Sequence, residues 1–405
     1  MFLKRKSLEK ATEILKETQI LYINGIRQCG KSTLAMQLAS QFGFEYLSFD
    51  SPSILAAAQH DPQAFIENIK SNIVIDEVQM APEIFRNLKI FVDEQRRKNA
   101  DQQLKILLTG SANILLLPKL ADSLVGRMQI MTLYPFGYSE FSNSTFLNDA
   151  FSGNFRLQNH NRRDIIPMIR KATFPELSIN LKANASRWFD AYLTTLLTRD
   201  IREITNIART SDMYTMLKIL AARTGSLINE SSLARDCNMN LMTFRRYRNI
   251  LENMFVIQRA FPWFRNIGKR FVKSTKNYFT DTYMLCNILG VDLLTIQQKD
   301  PILFGQILEN FVFTELIKNM DEQMRIFHFH TSDNKEVDFV LEKNNGDLVG
   351  IEVKSKSSVS EKDFEGIREL KNSAGSSFKC GIVLYLGNST IPFAQDMFAV
   401  SMQML

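Results

Sequence analysis

The stretch Gly25-Ile26-Arg27-Gln28-Cys29-Gly30-Lys31-Ser32 fits the pattern GxxxxGK[ST]. It lies between an apolar run, Gln19 to Asn24, and a segment, Lys31 to Phe42, with the apolar spacing of a helix. Each part answers a demand of phosphate chemistry. Glycines at 25 and 30 let the backbone wrap closely round a triphosphate, so that its N–H groups and the positive end of the next helix point at the anion. Lys31 supplies charge to the β- and γ-oxygens, and the Ser32 hydroxyl is a ligand for Mg²⁺. The expected nucleotide cradle is therefore Gly25, Ile26, Arg27, Gln28, Cys29, Gly30, Lys31, Ser32 and Thr33, with ATP and Mg²⁺ as expected cofactors.

Outward from this loop, short apolar runs alternate with helical patterns over about the first 135 residues, which predicts a parallel sheet with helical crossovers. Strands are expected at Gln19 to Asn24, Phe44 to Phe49, Asn72 to Asp76, Lys105 to Thr109 and Arg127 to Leu133. Helices are expected at Lys31 to Phe42 and Pro82 to Asn99. The third strand ends in Asp76-Glu77. Asp76 suits Mg²⁺ ligation through water, and Glu77 suits polarising the attacking water as general base. The fourth runs into Gly110-Ser111-Ala112-Asn113, where Thr109 and Ser111 are candidates to sense the γ-phosphate. Arg127, in Ser123-Leu124-Val125-Gly126-Arg127, is a candidate arginine finger, acting either within its own subunit or on a neighbouring one in a homo-oligomer; a solvated arginine opening a strand is the alternative.

Composition narrows the class. The chain has 405 residues, 45% hydrophobic and 23% charged, with a net charge of +6, close to globular averages. Cys29, Cys237, Cys286 and Cys380 form no CxxC pair, which argues against a disulfide framework or a cysteine zinc site and fits a cytoplasmic protein. The start, MFLKRKSLEK, has no apolar core of a signal peptide, and no window approaches the roughly 20 apolar residues of a membrane span, so no membrane partner is expected.

The middle of the chain is basic. Ser231 to Cys237 and Leu241 to Met254 have helix-turn-helix spacing, with Asn238 to Asn240 turning between them. Residues 255–260 and 276–280 look like wing strands, with Phe264 to Lys273 at the tip. Residues 241–280 hold nine cations (Arg245, Arg246, Arg248, Arg259, Arg265, Lys269, Arg270, Lys273 and Lys276) against one acid, Glu252, so this stretch carries +8 and the rest of the chain −2. A winged helix with such a patch suits the phosphates of double-stranded DNA, with Arg245, Arg246, Arg248, Lys269, Arg270 and Lys273 as candidate contacts. Protein docking with a solvated charged face is the alternative. Trp263 and Phe264 suit a core role at the base of the wing, with stacking on bases as the alternative.

Further on, Glu336-Val337-Asp338-Phe339-Val340-Leu341 alternates polar and apolar, which puts Glu336 and Asp338 on one strand face. Glu352-Val353-Lys354 repeats the alternation on the next strand. His328 and His330 share a face but have no third ligand, and are expected as a surface pair.

Two resemblances follow. The motifs GIRQCGKS, DEVQ (Asp76 to Gln79), LTGSAN, SLVGR, YPFGYSEF (Tyr134 to Phe141), LTRDI (Leu197 to Ile201), KNYFTDTYML, GQILENFVFTEL, EVDFVLE and IEVKS together resemble AAA+-like P-loop ATPases of bacteria and archaea whose C-terminal half is a domain of unknown function. One departure is Ala172-Thr173-Phe174-Pro175-Glu176, where that group has Gly-Gly-x-Pro-Glu. The C-terminal pattern, an Asp followed by Glu-x-Lys on a neighbouring strand, resembles PD-(D/E)xK nucleases. That resemblance implies Asp338 and Glu352 as ligands of a second Mg²⁺, Lys354 as the residue that positions or deprotonates water, and Glu309 as an additional acid. The expected fold class is α/β. The expected segments are an ATPase domain at 1–145, a helical lid at 146–210, a winged helix at 211–282 and a nuclease-like domain at 283–405. The function expected is ATP hydrolysis coupled to DNA binding and metal-dependent cleavage. The alternative is an ATP-driven switch whose C-terminal fold only binds nucleic acid or protein.

Overall fold

The computed structural model describes residues 5–98, 103–111, 126–142, 144–161, 163–180, 182–200, 210–271 and 273–405. The turn Ala112-Asn113, the segment Ser123-Leu124-Val125 and Ile201 lie outside these residues. The chain divides into two compact units, one of Met1–Pro135 with Leu251–Val256, the other of Phe136–Ile250 with Ile257–Leu405.

The first unit is built on five strands: β1 (Ile20–Asn24), β2 (Glu45–Ser48), β3 (Ile73–Asp76), β4 (Ile106–Gly110) and β5 (Met128–Thr132). All pair in parallel, in the order β2-β3-β4-β1-β5. Every expected strand of this unit is present, with no end shifted by more than one residue. The aliphatic runs of β1, β3 and β4 are buried along their whole length, as central strands covered on both faces must be. Parallel pairing requires each strand to return through a crossover. Helix Ile84–Lys98 supplies one, packing Phe85, Leu88 and Val92 into a core with Ile73, Ile75 and Leu108. Helix Lys31–Phe42 follows β1 directly and stops at Gly43, whose φ of 68° is left-handed and suits glycine. Because β4 lies between β1 and β3, the carboxyl ends of those three strands sit side by side.

The second unit opens with helices, among them Phe146–Ser152, Ile165–Lys171, Pro175–Ile179, Ala185–Thr195, Thr210–Ala222, Glu230–Asp236 and Leu241–Asn253. The Ala172 to Glu176 stretch, which departs from the Gly-Gly-x-Pro-Glu of the group it resembles, buries Ala172, Thr173 and Phe174, and Pro175 opens its helix. A nine-stranded sheet follows, made of β6 (Gln158–Asn159), β7 (Ile257–Pro262), β8 (Lys276–Phe279), β9 (Met324–His330), β10 (Glu336–Lys343), β11 (Leu348–Lys354), β12 (Phe378–Tyr385), β13 (Ser389–Ala394) and β14 (Met397–Ser401). Its order is β6-β13-β14-β12-β11-β10-β9-β7-β8. Helix Pro301–Asn319 precedes an antiparallel meander, β9-β10-β11. Helix Glu365–Ala374 then carries the chain to β12, parallel to β11.

The antiparallel pair β7-β8 does not stand apart from this sheet. Phe261 and Pro262 of β7 pair in parallel with Phe327 and His328 of β9, and the Trp263 N–H donates to the His328 carbonyl at 2.6 Å.

The crossover helix lies very close to the sheet at one point. A Cβ at Gly366 would stand 1.8 Å from the Glu336 carbonyl oxygen of β10. Alanine is the better helix former by about 1 kcal/mol, but here the obstacle is backbone, which cannot swing aside. Gly366→Ala is therefore expected to lower stability by about 1–3 kcal/mol net, read as a lower Tm; a Tm at or above wild type would refute this packing account.

Candidate functional site

The Gly25–Ser32 loop leaves β1 and enters helix Lys31–Phe42 through three left-handed backbones: Gly25 (φ 143°), Gln28 (φ 62°) and Gly30 (φ 101°). At Gly25 no side chain fits, because a Cβ would lie 2.0 Å from the Leu133 carbonyl oxygen. The loop is braced from several sides. The buried Arg5 donates to the carbonyls of Cys29 (3.0 Å) and Tyr134 (2.8 Å), and the Cys29 thiol donates to Leu133 O (3.2 Å). The Lys31 ammonium, 4% exposed, donates to Gly25 O and Ile26 O, both at 3.1 Å. Ile26 is buried and Arg27 partly exposed.

At the carboxyl end of β3, Asp76 accepts from three hydroxyls on three elements. Ser32 Oγ donates to Oδ1 at 3.2 Å, Tyr46 of β2 donates to Oδ2 at 2.7 Å, and Thr109 of β4 donates to Oδ1 in a short contact. Burial, helped by the bond to Asp76, pushes the Tyr46 phenol well above its ordinary value, so it remains a donor. The Glu77 N–H donates to Thr109 Oγ1 at 3.3 Å, and Glu77 itself adopts a left-handed φ of 58°, unusual for a residue with a side chain. Gln79 Nε2 donates to the Glu77 carboxylate and to Ser111 Oγ, the latter at 3.1 Å. Thr109 and Ser111 thus lie beside the acids, where a γ-phosphate sensor was expected. Tyr46 and Gln79 did not figure among the expected site residues.

These residues fit a magnesium nucleotide. The loop offers a tight backbone cradle at a helix N-terminus, and Ser32 and Asp76 offer adjacent oxygens of the kind a hard cation prefers.

Arg127 stands at the other end of the sheet. Residue 128 opens β5 opposite Ile20, the first residue of β1, whereas the loop follows Asn24 at the far end. With about 3.3 Å per residue, the two ends of β1 lie more than 10 Å apart. Arg127 holds Asp93 in a two-pronged ion pair at 2.6 and 3.0 Å, so it does not serve the loop of its own chain.

In the second unit, Glu309, Glu336 and Asp338 do converge, but on a lysine, while Glu352 pairs with Lys354. The Lys276 ammonium of β8, with a side chain only 3% exposed, lies 3.0 Å from Glu309 Oε1, 2.5 Å from Glu336 Oε1 and 3.4 Å from Asp338 Oδ1. Tyr278 donates to Glu309 Oε1 at 2.6 Å, and the Lys354 ammonium donates to Glu352 Oε1 at 2.7 Å. Burial, then the Asp338 charge, pushes Glu309 up to about 7 and Glu352 up to about 8. Burial alone would lower Lys276, yet the surrounding oxygens hold it well above its ordinary value. The expected second Mg²⁺ site does not fit this arrangement. Among the described residues no group of three or more His, Cys, Asp or Glu side chains is set to hold a metal ion. His328, expected at the surface, is 1% exposed, bonds Ser274 O at 3.2 Å, and is pushed down to about 4 by burial and the nearby Lys276.

The basic stretch is less free than its charge suggests. Arg248 is buried against Glu230, which also binds Arg245 at 2.6 Å. Arg270 is buried, with Nη1 2.6 Å from Glu342 and the guanidinium over the Trp263 and Phe327 rings. Arg248 and Arg270 therefore do not present their charge to solvent. Arg246, Arg265, Lys269 and Lys273 are exposed. The last three line a groove of about 940 Å³ together with Phe264, His330 and Ser332.

A family described as AAA domain matches residues 17–142, and two described as domains of unknown function, DUF8612 and DUF4143, match 163–295 and 304–405. An uncharacterized protein of Mycobacterium tuberculosis is 28% identical over 358 residues, 88% of this chain and 75% of that one. An uncharacterized protein of Methanocaldococcus jannaschii is 25% identical over 371 residues, 86% and 78% of the two chains. Among solved structures, a Walker-type ATPase of Pyrococcus abyssi matches with a TM-score of 0.42 at 15% identity, covering 72% of this chain and 96% of that one. The N-terminal segment is a P-loop ATPase-like domain of AAA type. No helix among the described residues is long and apolar enough to cross a membrane.

Removing one partner of the Arg270–Glu342 pair leaves the other charge partly buried and alone. Arg270→Ala is expected to cost about 3–5 kcal/mol, seen as a lower midpoint of urea unfolding. Adding Glu342→Ala should recover part of the loss. Strictly additive effects would show that the two side chains do not act as a pair.

Proposed function

We propose that this chain binds Mg-ATP on Gly25–Thr33 and hydrolyses it, and that nucleotide state governs binding of double-stranded DNA by the second unit. The observation that carries the first part is the join between Asp76, Ser32, Thr109 and Tyr46, which ties the carboxylate at the end of β3 to the first residues of the helix that follows the loop. In that reading Ser32 and Asp76 hold the metal, which supplies charge neutralisation at the phosphates. Lys31 leaves the loop carbonyls for the phosphate oxygens. Glu77 takes the proton of the attacking water, while Gln79 holds its carboxylate in register. Arg127, facing away from its own site, serves only the site of a neighbouring copy.

DNA binding rests on the groove lined by Arg265, Lys269 and Lys273, with Arg246 as a further exposed cation. The switch reading is preferred to cleavage because the Lys276 ammonium already occupies the space between Glu309, Glu336 and Asp338.

Lys31→Ala is expected to abolish nucleotide binding or turnover. Glu77→Gln should keep binding while lowering kcat by about 10²-fold or more, and Gln79→Leu should lower kcat less, with ATP affinity held. Unchanged turnover in both Lys31→Ala and Glu77→Gln would sink the assignment. For DNA, anisotropy of a labelled duplex should show affinity falling with salt. In the triple variant Arg265→Ala/Lys269→Ala/Lys273→Ala the slope should flatten by about 0.9 per lost phosphate contact; an unchanged slope would remove the groove from the interface. Plasmid incubated with Mg²⁺ or Mn²⁺ and ATP should stay intact, and cutting that disappears in Lys354→Ala and Asp338→Ala would overturn the switch reading.

A further inference from the structure

An ammonium has three N–H donors and no acceptor. At Lys276 three carboxylates from two elements stand around it: Glu309 on helix Pro301–Asn319, and Glu336 and Asp338 at the first and third positions of β10. The nitrogen cannot share that space with a metal ion, which needs the same oxygens at roughly 2.0–2.6 Å.

The two residues that a nuclease-like pattern would assign to metal are satisfied without one. Asp338 Oδ1 faces Lys276 at 3.4 Å, and Asp338 Oδ2 accepts from the Val353 N–H at 2.8 Å. Glu352 Oε1 accepts from Lys354 at 2.7 Å, and Glu352 Oε2 from the Asp338 N–H at 3.3 Å. All four oxygens have a donor from the chain itself. The far side of Glu309 is closed too, since a Cβ at Gly225 would lie 2.9 Å from Glu309 Oε2.

Lys276 is also held by its own strand. It sits on β8 opposite Ala260 of β7, and Tyr278, two positions along, shares its face and bonds the same Glu309 oxygen.

We propose that the Lys276 ε-ammonium is the resident cation of this carboxylate centre, standing where a divalent metal would sit, so that the C-terminal sheet is a metal-free binding unit. The proposal rests on reading residues 303–405 as a nuclease-like arrangement; it does not rest on ATP turnover or DNA binding.

The test is Mn²⁺ binding to nucleotide-free, full-length protein, followed by loss of the free-ion paramagnetic resonance signal. Wild type, Asp338→Asn and Lys276→Arg are expected to bind alike, with nothing at this centre. Lys276→Met, which vacates the ammonium position without adding charge, should gain about one Mn²⁺ per chain, and that gain should vanish in Lys276→Met/Asp338→Asn. Wild-type binding that is lost in Asp338→Asn would overturn the proposal. So would a Lys276→Met protein that is folded by circular dichroism yet gains no site. If Lys276→Met is unfolded without metal, Mn²⁺ should restore its folded spectrum and a cooperative melt; failure to do so equally overturns the claim that metal and ammonium are interchangeable here. The readout needs neither ATP nor DNA, so a failed ATPase or binding assay leaves its outcome unaffected.

Discussion

The first unit depends on a single buried carboxylate. Asp76 is 3% exposed, and its two oxygens gather hydroxyls from the phosphate loop, from β2 and from β4. A buried charge without donors would cost several kcal/mol, so each hydroxyl both relieves that cost and fixes where its own element can sit. The strand order makes the gathering possible. With β4 between β1 and β3, Thr109 can reach Asp76 and accept from the Glu77 N–H at once. The strained backbone at Glu77 is then held from both sides.

The second unit solves a similar problem at larger scale, joining distant segments through polar groups. Asn310, fully buried in helix Pro301–Asn319, accepts from the Phe279 N–H and from Thr224, and donates to Phe279 O and Thr282. Together with the lysine in the carboxylate centre and the Arg270–Glu342 pair, it ties the middle of the chain to the C-terminal sheet. Such polar joints add less net stability than apolar packing, but they tolerate only one arrangement.

What could be read in advance was what is written locally. The phosphate loop and the Asp76-Glu77 strand end are contiguous patterns with fixed local geometry, and the five strands of the first unit stand within one residue of their expected ends. Contacts between segments far apart in the chain were not legible. Counting charge in residues 241–280 treats Lys276, Arg270 and Arg248 as solvated cations, yet their acids lie at 309 and 336, at 342, and at 230. A window count cannot see acids outside the window. One signal was present: strand alternation puts Lys276 on the face of Tyr278, and a lysine beside a buried aromatic needs a partner. Gln79 and Tyr46 carried no such mark, since their roles depend on strand order.

The pairing of β7 with β9 bears on how this protein can be taken apart. Residues 163–295 and 304–405 match two separate families, but a single hydrogen-bonded sheet runs through both. A recombinant fragment cut between them would bare the edge of β9 on one piece and that of β7 on the other, and such open edges invite aggregation. The same cut would leave Tyr278 without the ring of Phe313, against which it stacks at 4.3 Å. The two segments are accordingly halves of one folding unit, to be expressed, swapped between relatives or truncated only together.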